Sequence, residues 1–131
     1  MKRSGAVTCV CGSGKTYAMC CGRYLDGGEA APDAQALMRS RYAAYALGRN
    51  DYLLVTWHAS TRPSAAALAA DAAAVKWIGL EVMRYEYAGG DSAVVEFVAR
   101  YREGGRAHRL RETSRFAREA GRWFYLDGDI V

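Results

Sequence analysis

Four cysteines occupy a stretch of thirteen residues near the N-terminus, and the remainder of the 131-residue chain contains none. They form two close pairs, Cys9 with Cys11 and Cys20 with Cys21. Thiolate is a soft ligand that suits zinc, and a structural zinc site takes four ligands in a tetrahedron. Two glycines in the loop between the pairs allow the backbone to pass close to sulfur. The spacing therefore predicts a four-cysteine site with zinc as the cofactor.

The same residues have three other uses to consider. Disulfides suit an exported chain, and the first residues lack the apolar core of a secretory signal. Redox chemistry usually requires Cys-x-x-Cys, which is absent. Residues 12–16, Gly-Ser-Gly-Lys-Thr, resemble the end of a phosphate-binding loop, but Cys9 stands where that motif has its first glycine. Metal binding in a cytoplasmic chain is the favoured interpretation, ahead of unligated thiols.

Composition indicates one ordinary domain with a small appendage. Hydrophobic residues make up 51% of the chain and the net charge is +4, which argues against disorder. The sequence contains no run of about twenty apolar residues, so membrane insertion is not predicted. Four basic residues near the cysteines are expected to offset the charge of a thiolate site: Lys2, Arg3, Lys15 and Arg23.

Glycines between residues 22 and 32 indicate a linker, so we divide the chain into a zinc-binding segment, 1–30, here called the hook, and a domain, 31–131. A helix is expected from a cap at Asp33 to Gly48, with Arg39 outward and Arg41 nearer the apolar face. Further helices are expected after caps at Asp51 and Ser64. Alternating polarity then predicts four antiparallel strands, 77–87, 92–102, 107–119 and 123–128, joined by short turns. The predicted fold class is α+β, with about three helices packed on a four-stranded sheet.

The cysteine run as a whole is more specific than its spacing. It reads Cys9-x-Cys11-Gly-Ser-Gly-Lys-x-Tyr17-x-x-Cys20-Cys21-Gly22 and resembles the SEC-C motif, the small metal-binding module at the C-terminus of the SecA translocation motor. In that family, the residues matching the four cysteines are the zinc ligands.

Later stretches resemble the uncharacterised YchJ-like bacterial proteins. The matching runs are 37–42 (LMRSRY), 51–58, 60–63 (STRP), 97–102, 112–116 and 121–128 (GRWFYLDG). The resemblance runs from Cys9 almost to the end, with the pieces in order. It implies a domain similar to nuclear transport factor 2 (NTF2), in which helices wrap a curved sheet into a cone.

A cone of this kind encloses a pocket, which is the usual place for a ligand. The pocket candidates are Arg41, Tyr45, Trp57, His58, Arg100, Glu112 and Ser114. Alternation along the third strand turns Glu112 and Ser114 inward, and a buried carboxylate needs a partner, for which Arg41 and Arg100 are candidates. Glu112 could act as a general base, but half of a structural ion pair is the favoured interpretation. No catalytic residue is assigned.

The other face of the third strand carries Arg109, Arg111 and Arg115, followed by Arg118. It is either a solvated face, which we favour, or a surface for an anionic partner such as RNA in the ribosome.

Three functions remain open, and an enzyme is not the favoured one. The preferred hypothesis is a zinc-binding adaptor whose hook presents Lys15 and Tyr17 to a protein partner. The alternatives are a small-molecule binder or enzyme that uses the cone pocket, and ribosome or nucleic-acid contact through the arginine face. A dimer is compatible with each of them.

Overall fold

The structure is a computed structural model that describes residues 7–72 and 75–131, so Lys2 and Arg3 lie outside the described part. The helical elements are a 3-10 turn (Tyr17–Met19), α1 (Gly22–Leu25), α2 (Ala34–Leu47), α3 (Asn50–Val55) and α4 (Ala65–Ala72). The strands are β1 (Lys76–Gly89), β2 (Ser92–Glu103), β3 (Arg106–Glu119) and β4 (Arg122–Ile130). Helices followed by a four-stranded sheet confirm the predicted α+β class. None of the described helices has the length and apolar character needed to cross a membrane.

The longest helix, α2, begins and ends as the sequence predicts. Asp33 Oδ1 accepts a hydrogen bond from Ala36 N at 2.7 Å, which satisfies one of the free amides of the first turn. Gly48 ends the helix with φ +74°, a conformation that glycine adopts without a Cβ clash. Ser64 caps α4 in the same way as Asp33, accepting from Ala67 N at 3.1 Å.

One cap is wrong. Arg49 stands at the start of α3 and makes no side-chain cap bond, while Asp51 lies inside the first turn. A carboxylate in that position still interacts favourably with the helix dipole.

The four strands form one antiparallel meander in the order β1-β2-β3-β4. The turns at 104–105 and 120–121 have positive φ at both central residues, as two-residue hairpins of right-handed twist require. Register shifts interrupt the β1–β2 pairing at three points and the β3–β4 pairing between Arg115 and Phe116. Such bulges bend strands, so they help the sheet curve around the helices.

The hook shares its core with the domain. The buried cluster joins the four cysteines to Tyr24 and Leu25 of α1, to Leu37 of α2, and to Val95 and Phe116 of the sheet. A linker over 22–32 is therefore the wrong description of its first residues, which form α1. Gly22 permits this packing, because an added Cβ would lie 2.8 Å from Tyr17 O.

Candidate functional site

The four cysteine side chains converge at one buried point. Their sulfur atoms all lie within 4.8 Å of one another. The Sγ–Sγ distance is 3.6 Å between Cys11 and Cys20 and 3.9 Å between Cys20 and Cys21. A tetrahedron with metal–sulfur bonds of about 2.3 Å has sulfur–sulfur edges of about 3.8 Å. The predicted ligand set, completed by Cys9, is therefore close enough together to hold a metal ion.

A short antiparallel ladder brings the two pairs together. Cys9 N donates to Lys15 O at 2.9 Å, and Tyr17 N donates to Val7 O at 2.8 Å. Gly12, with φ +81°, turns the chain immediately after the first pair. Lys15 is exposed as expected, and Tyr17 is half-buried, so part of its side chain remains accessible.

The sulfurs affect one another's ionisation. A hydrogen bond with Cys21 lowers the pKa of Cys11 to about 4, and the same bond raises the pKa of Cys21. Burial raises the pKa of Cys9. One thiolate is thus favoured among neighbours that resist further loss of protons.

Arg39, which was expected to point towards solvent, contacts this cluster. Arg39 Nη1 donates to Cys11 O at 2.8 Å and lies 4.0 Å from Cys11 Sγ. Arg23, an expected neighbour, donates through Nε to Cys20 O at 3.3 Å. The outward placement of Arg39 was wrong because the hook covers that side of α2, and no local pattern shows which helix face a separate segment will cover.

A cavity of about 440 Å³ lies between the helices and the concave face of the sheet. Its lining includes five of the seven predicted pocket residues: Arg41, Tyr45, Trp57, Glu112 and Ser114. Apolar side chains form most of the remaining wall: Met38, Pro63, Leu68, Val75, Phe97, Ala99 and Leu110, with Trp77 and Tyr42. Size and composition fall within the range of small-molecule sites.

Arg41 is 3% exposed and is held by the end of α3. Its Nη1 donates to Leu53 O at 2.8 Å and to Thr56 Oγ1 at 2.7 Å. Its Cζ lies 4.8 Å from the centre of the Trp57 ring and 4.6 Å from that of Tyr125. Burial lowers the pKa of the guanidinium, although arginine remains charged.

One carboxylate oxygen of Glu112 accepts hydrogen bonds from neutral groups. Its Oε2 accepts hydrogen bonds from Ser114 Oγ at 2.8 Å and from Tyr125 Oη at 3.2 Å. Within residues 7–72 and 75–131, neither Arg41 nor Arg100 makes an ion pair with it, so the predicted pairing is wrong. Gly128, opposite Ser114 in the register, leaves the space that the carboxylate occupies. A lone glycine inside a strand often marks such close approach and is the signal that could have revealed it.

Two predicted pocket residues lie outside the cavity lining. Arg100 is exposed, because alternation along β2 turns it away from the face that carries Phe97 and Ala99. Its neighbour in the strand register is Arg109 of β3. His58 is held by Glu119, whose Oε2 lies 2.5 Å from Nε2, and by Ser60.

The arginine face is largely neutralised by carboxylates of the same sheet. Arg111 pairs with Glu96 at 2.6 Å, and Arg118 with Asp91 at 3.2 Å. Arg115 contacts two aspartates of β4, one at 2.6 Å and one at 2.8 Å. Arg109 is exposed. These pairs offset three of the four arginines, while Arg109 and its cross-strand neighbour Arg100 take part in none of the ion pairs of the described residues.

Comparison with known families matches both parts of the chain. The SEC-C motif matches residues 8–23, and the middle NTF2-like domain of YchJ matches residues 33–128. A UPF0225 protein of Chromobacterium violaceum is 61% identical, and the alignment covers 99% of this chain and 98% of that protein.

Solved structures show the same fold. The solution structure of a SEC-C motif containing protein from Rhodopseudomonas palustris is 39% identical, with a TM-score of 0.88 over 95% of this chain and 99% of that one. The crystal structure of a SEC-C motif containing protein from Psychrobacter arcticus is 26% identical, with a TM-score of 0.82 over 97% of this chain and 84% of that one.

Proposed function

Since the chain belongs to the bacterial YchJ family, in which a SEC-C motif accompanies an NTF2-like domain, we propose that it is a zinc-binding adaptor whose hook docks a protein partner. The four thiolates hold the ion and keep the hook rigid on α2. The observation that carries the proposal is the clustering of four buried sulfurs within 4.8 Å beneath an outer surface that is partly apolar.

That outer surface consists of side chains that a monomer leaves in water. Val7 is 67% exposed and Met19 is 68% exposed, with Val10 and Lys15 also exposed. A segment too short to form its own core gains its order from metal, which for structural zinc contributes on the order of 10 kcal/mol. Preordering a binding loop lowers the entropy lost when a partner binds, so metal loading and partner affinity are coupled.

Zinc is favoured over other metals because four thiolates in a closed tetrahedron suit a soft, redox-inert ion.

Nucleic-acid contact is less well supported, because carboxylates on or beside the sheet already pair with three of the four arginines considered.

The test places a photo-crosslinking residue at position 19 in the full zinc-loaded chain and illuminates it in cells. We expect a small set of discrete cross-linked proteins that disappears when Cys20→Ser is introduced in the same chain. The matched control carries the cross-linker at Ile130, which is 66% exposed on β4, at the opposite edge of the sheet from the β1 strand that Gly12 of the hook approaches. Identical products from both positions, or products that survive Cys20→Ser, would reject the adaptor role.

A further inference from the structure

The polar groups around the cavity are not balanced by one another. Nη1 of Arg41 donates to Leu53 O and Thr56 Oγ1, while Nε and Nη2 are not among the fully buried unpaired atoms of the described residues. Trp57 lines the same cavity, and its Nε1 is buried without a hydrogen-bond partner among the described residues. A buried donor without an acceptor costs roughly 1–3 kcal/mol. This end of the cavity therefore favours a group with several acceptor atoms.

The buried positive charge of Arg41 likewise favours a ligand group that is negatively charged and offers acceptor atoms. Arg41 is buried and takes part in none of the ion pairs of the described residues, while two carboxylates, those of Asp71 and Glu112, also line the cavity. Aromatic rings on two sides of the guanidinium exclude water and hold its plane. A planar guanidinium of this kind can donate two parallel hydrogen bonds to the two oxygens of a carboxylate.

Glu112 adds a second point of recognition. Both hydrogen bonds that it accepts go to Oε2, so Oε1 has no donor among the described residues. A ligand hydroxyl or amide N–H could supply that donor. Between these polar points the wall is formed by Trp77, Phe97 and Leu110, which suits a flat apolar body.

We propose that the cavity binds a small organic carboxylate, with its carboxylate on Arg41, its apolar body against Trp77 and Phe97, and a hydrogen-bond donor directed to Glu112. The cavity volume of about 440 Å³ has room for roughly fifteen waters, which is the scale of a one- or two-ring acid. This inference is independent of the hook and its metal.

The test compares ligands that differ only in the charged end. The acids are 4-hydroxyphenylacetate and indole-3-acetate. Their neutral counterparts are the corresponding acetamides, and their cationic counterparts are tyramine and tryptamine. Each is titrated into the full zinc-loaded chain while the tryptophan indole N–H signals are followed by NMR. The chain has three tryptophans, of which Trp57 and Trp77 line the cavity and Trp123 does not, so the third signal is an internal control.

We expect at least one acid to shift the Trp57 and Trp77 signals saturably, with affinity at least about tenfold above its acetamide, because a charged hydrogen-bonded pair is lost. Leu110→Trp fills the cavity and abolishes the shifts. Met83→Trp, which adds the same indole on exposed β1, leaves them unchanged.

Three outcomes would overturn the proposal. An amine that binds as tightly as its acid would make Glu112 the dominant group. An acid whose binding survives Leu110→Trp would lie elsewhere on the protein. Absence of any acid-induced indole shift at millimolar concentration would mean that the cavity does not select carboxylates.

Discussion

Replacing Gly128 with alanine tests the packing of the charged end of the cavity. An added Cβ would collide with Glu112 Oε2 and would lie 2.9 Å from Glu112 Cδ and 3.1 Å from Thr113 O. Overpacking of this kind costs roughly 1–3 kcal/mol. Alanine is otherwise better than glycine inside a strand by about 0.5–1 kcal/mol, which offsets part of the loss. We therefore expect a net destabilisation of about 1–2 kcal/mol.

The assay is thermal unfolding followed by circular dichroism at fixed zinc concentration. For a chain of this size, the expected loss lowers the midpoint by roughly 3–8 °C. Gly79→Ala is the matched control in β1, because its added Cβ would meet nothing nearer than Arg100 Cβ at 4.0 Å. That variant is expected to be neutral or slightly more stable.

Repeating Gly128→Ala in a protein that already carries Glu112→Ala tests whether the clash with the Glu112 carboxylate causes the loss of stability. With the carboxylate gone, the cost of the alanine should fall below about 0.5 kcal/mol, since neighbours that share a contact are not additive. An equal cost in both backgrounds would place the strain on the Thr113 carbonyl and refute the role given to Glu112.

Three further changes have defined expectations. Ala120 has φ +51°, a left-handed conformation that disfavours a Cβ, so Ala120→Gly should raise stability by up to about 1 kcal/mol in thermal unfolding, and a lower midpoint would contradict this. The hydrogen bond from Arg111 lowers the pKa of Glu96, so the stability from this pair is present above the unfolded-state pKa and is lost as pH falls through the lower folded value. Arg111→Met should raise the Glu96 titration midpoint measured by NMR, and an unchanged midpoint would show that the pair contributes nothing. Arg41→Lys loses the guanidinium fork, including its bond to Leu53 O, and should cost about 2–3 kcal/mol in the same unfolding assay, so an unchanged midpoint would refute its structural role.

Features set by local sequence were predictable. The caps of α2, the glycine turns of the meander and the clustering of the cysteines each depend on residues close together in the chain. The metal ligands in particular lie within thirteen residues, so closing one short loop is enough to bring them together.

Features that depend on packing between distant segments could not be predicted from the sequence. Arg39 meets Cys11 because the hook covers one side of α2, and helix periodicity alone cannot show this. The partners of Glu112 come from its own strand and from β4, and the β4 partner depends on a bulge after Arg115 that no pattern marks. Arg100 is different, since strict alternation from Phe97 on β2 already turns it away from the cavity.

Metal content combined with hydrogen exchange on gently purified protein is the decisive test of whether a bound metal orders the hook. We expect about one zinc per chain, bound by four thiolates. We also expect the Cys9 and Tyr17 amides, which close the ladder of the hook, to lose protection on chelation while amides of β2 and β3 keep theirs. Protein that carries no metal, and whose hook amides are equally protected with and without chelator, would contradict the account.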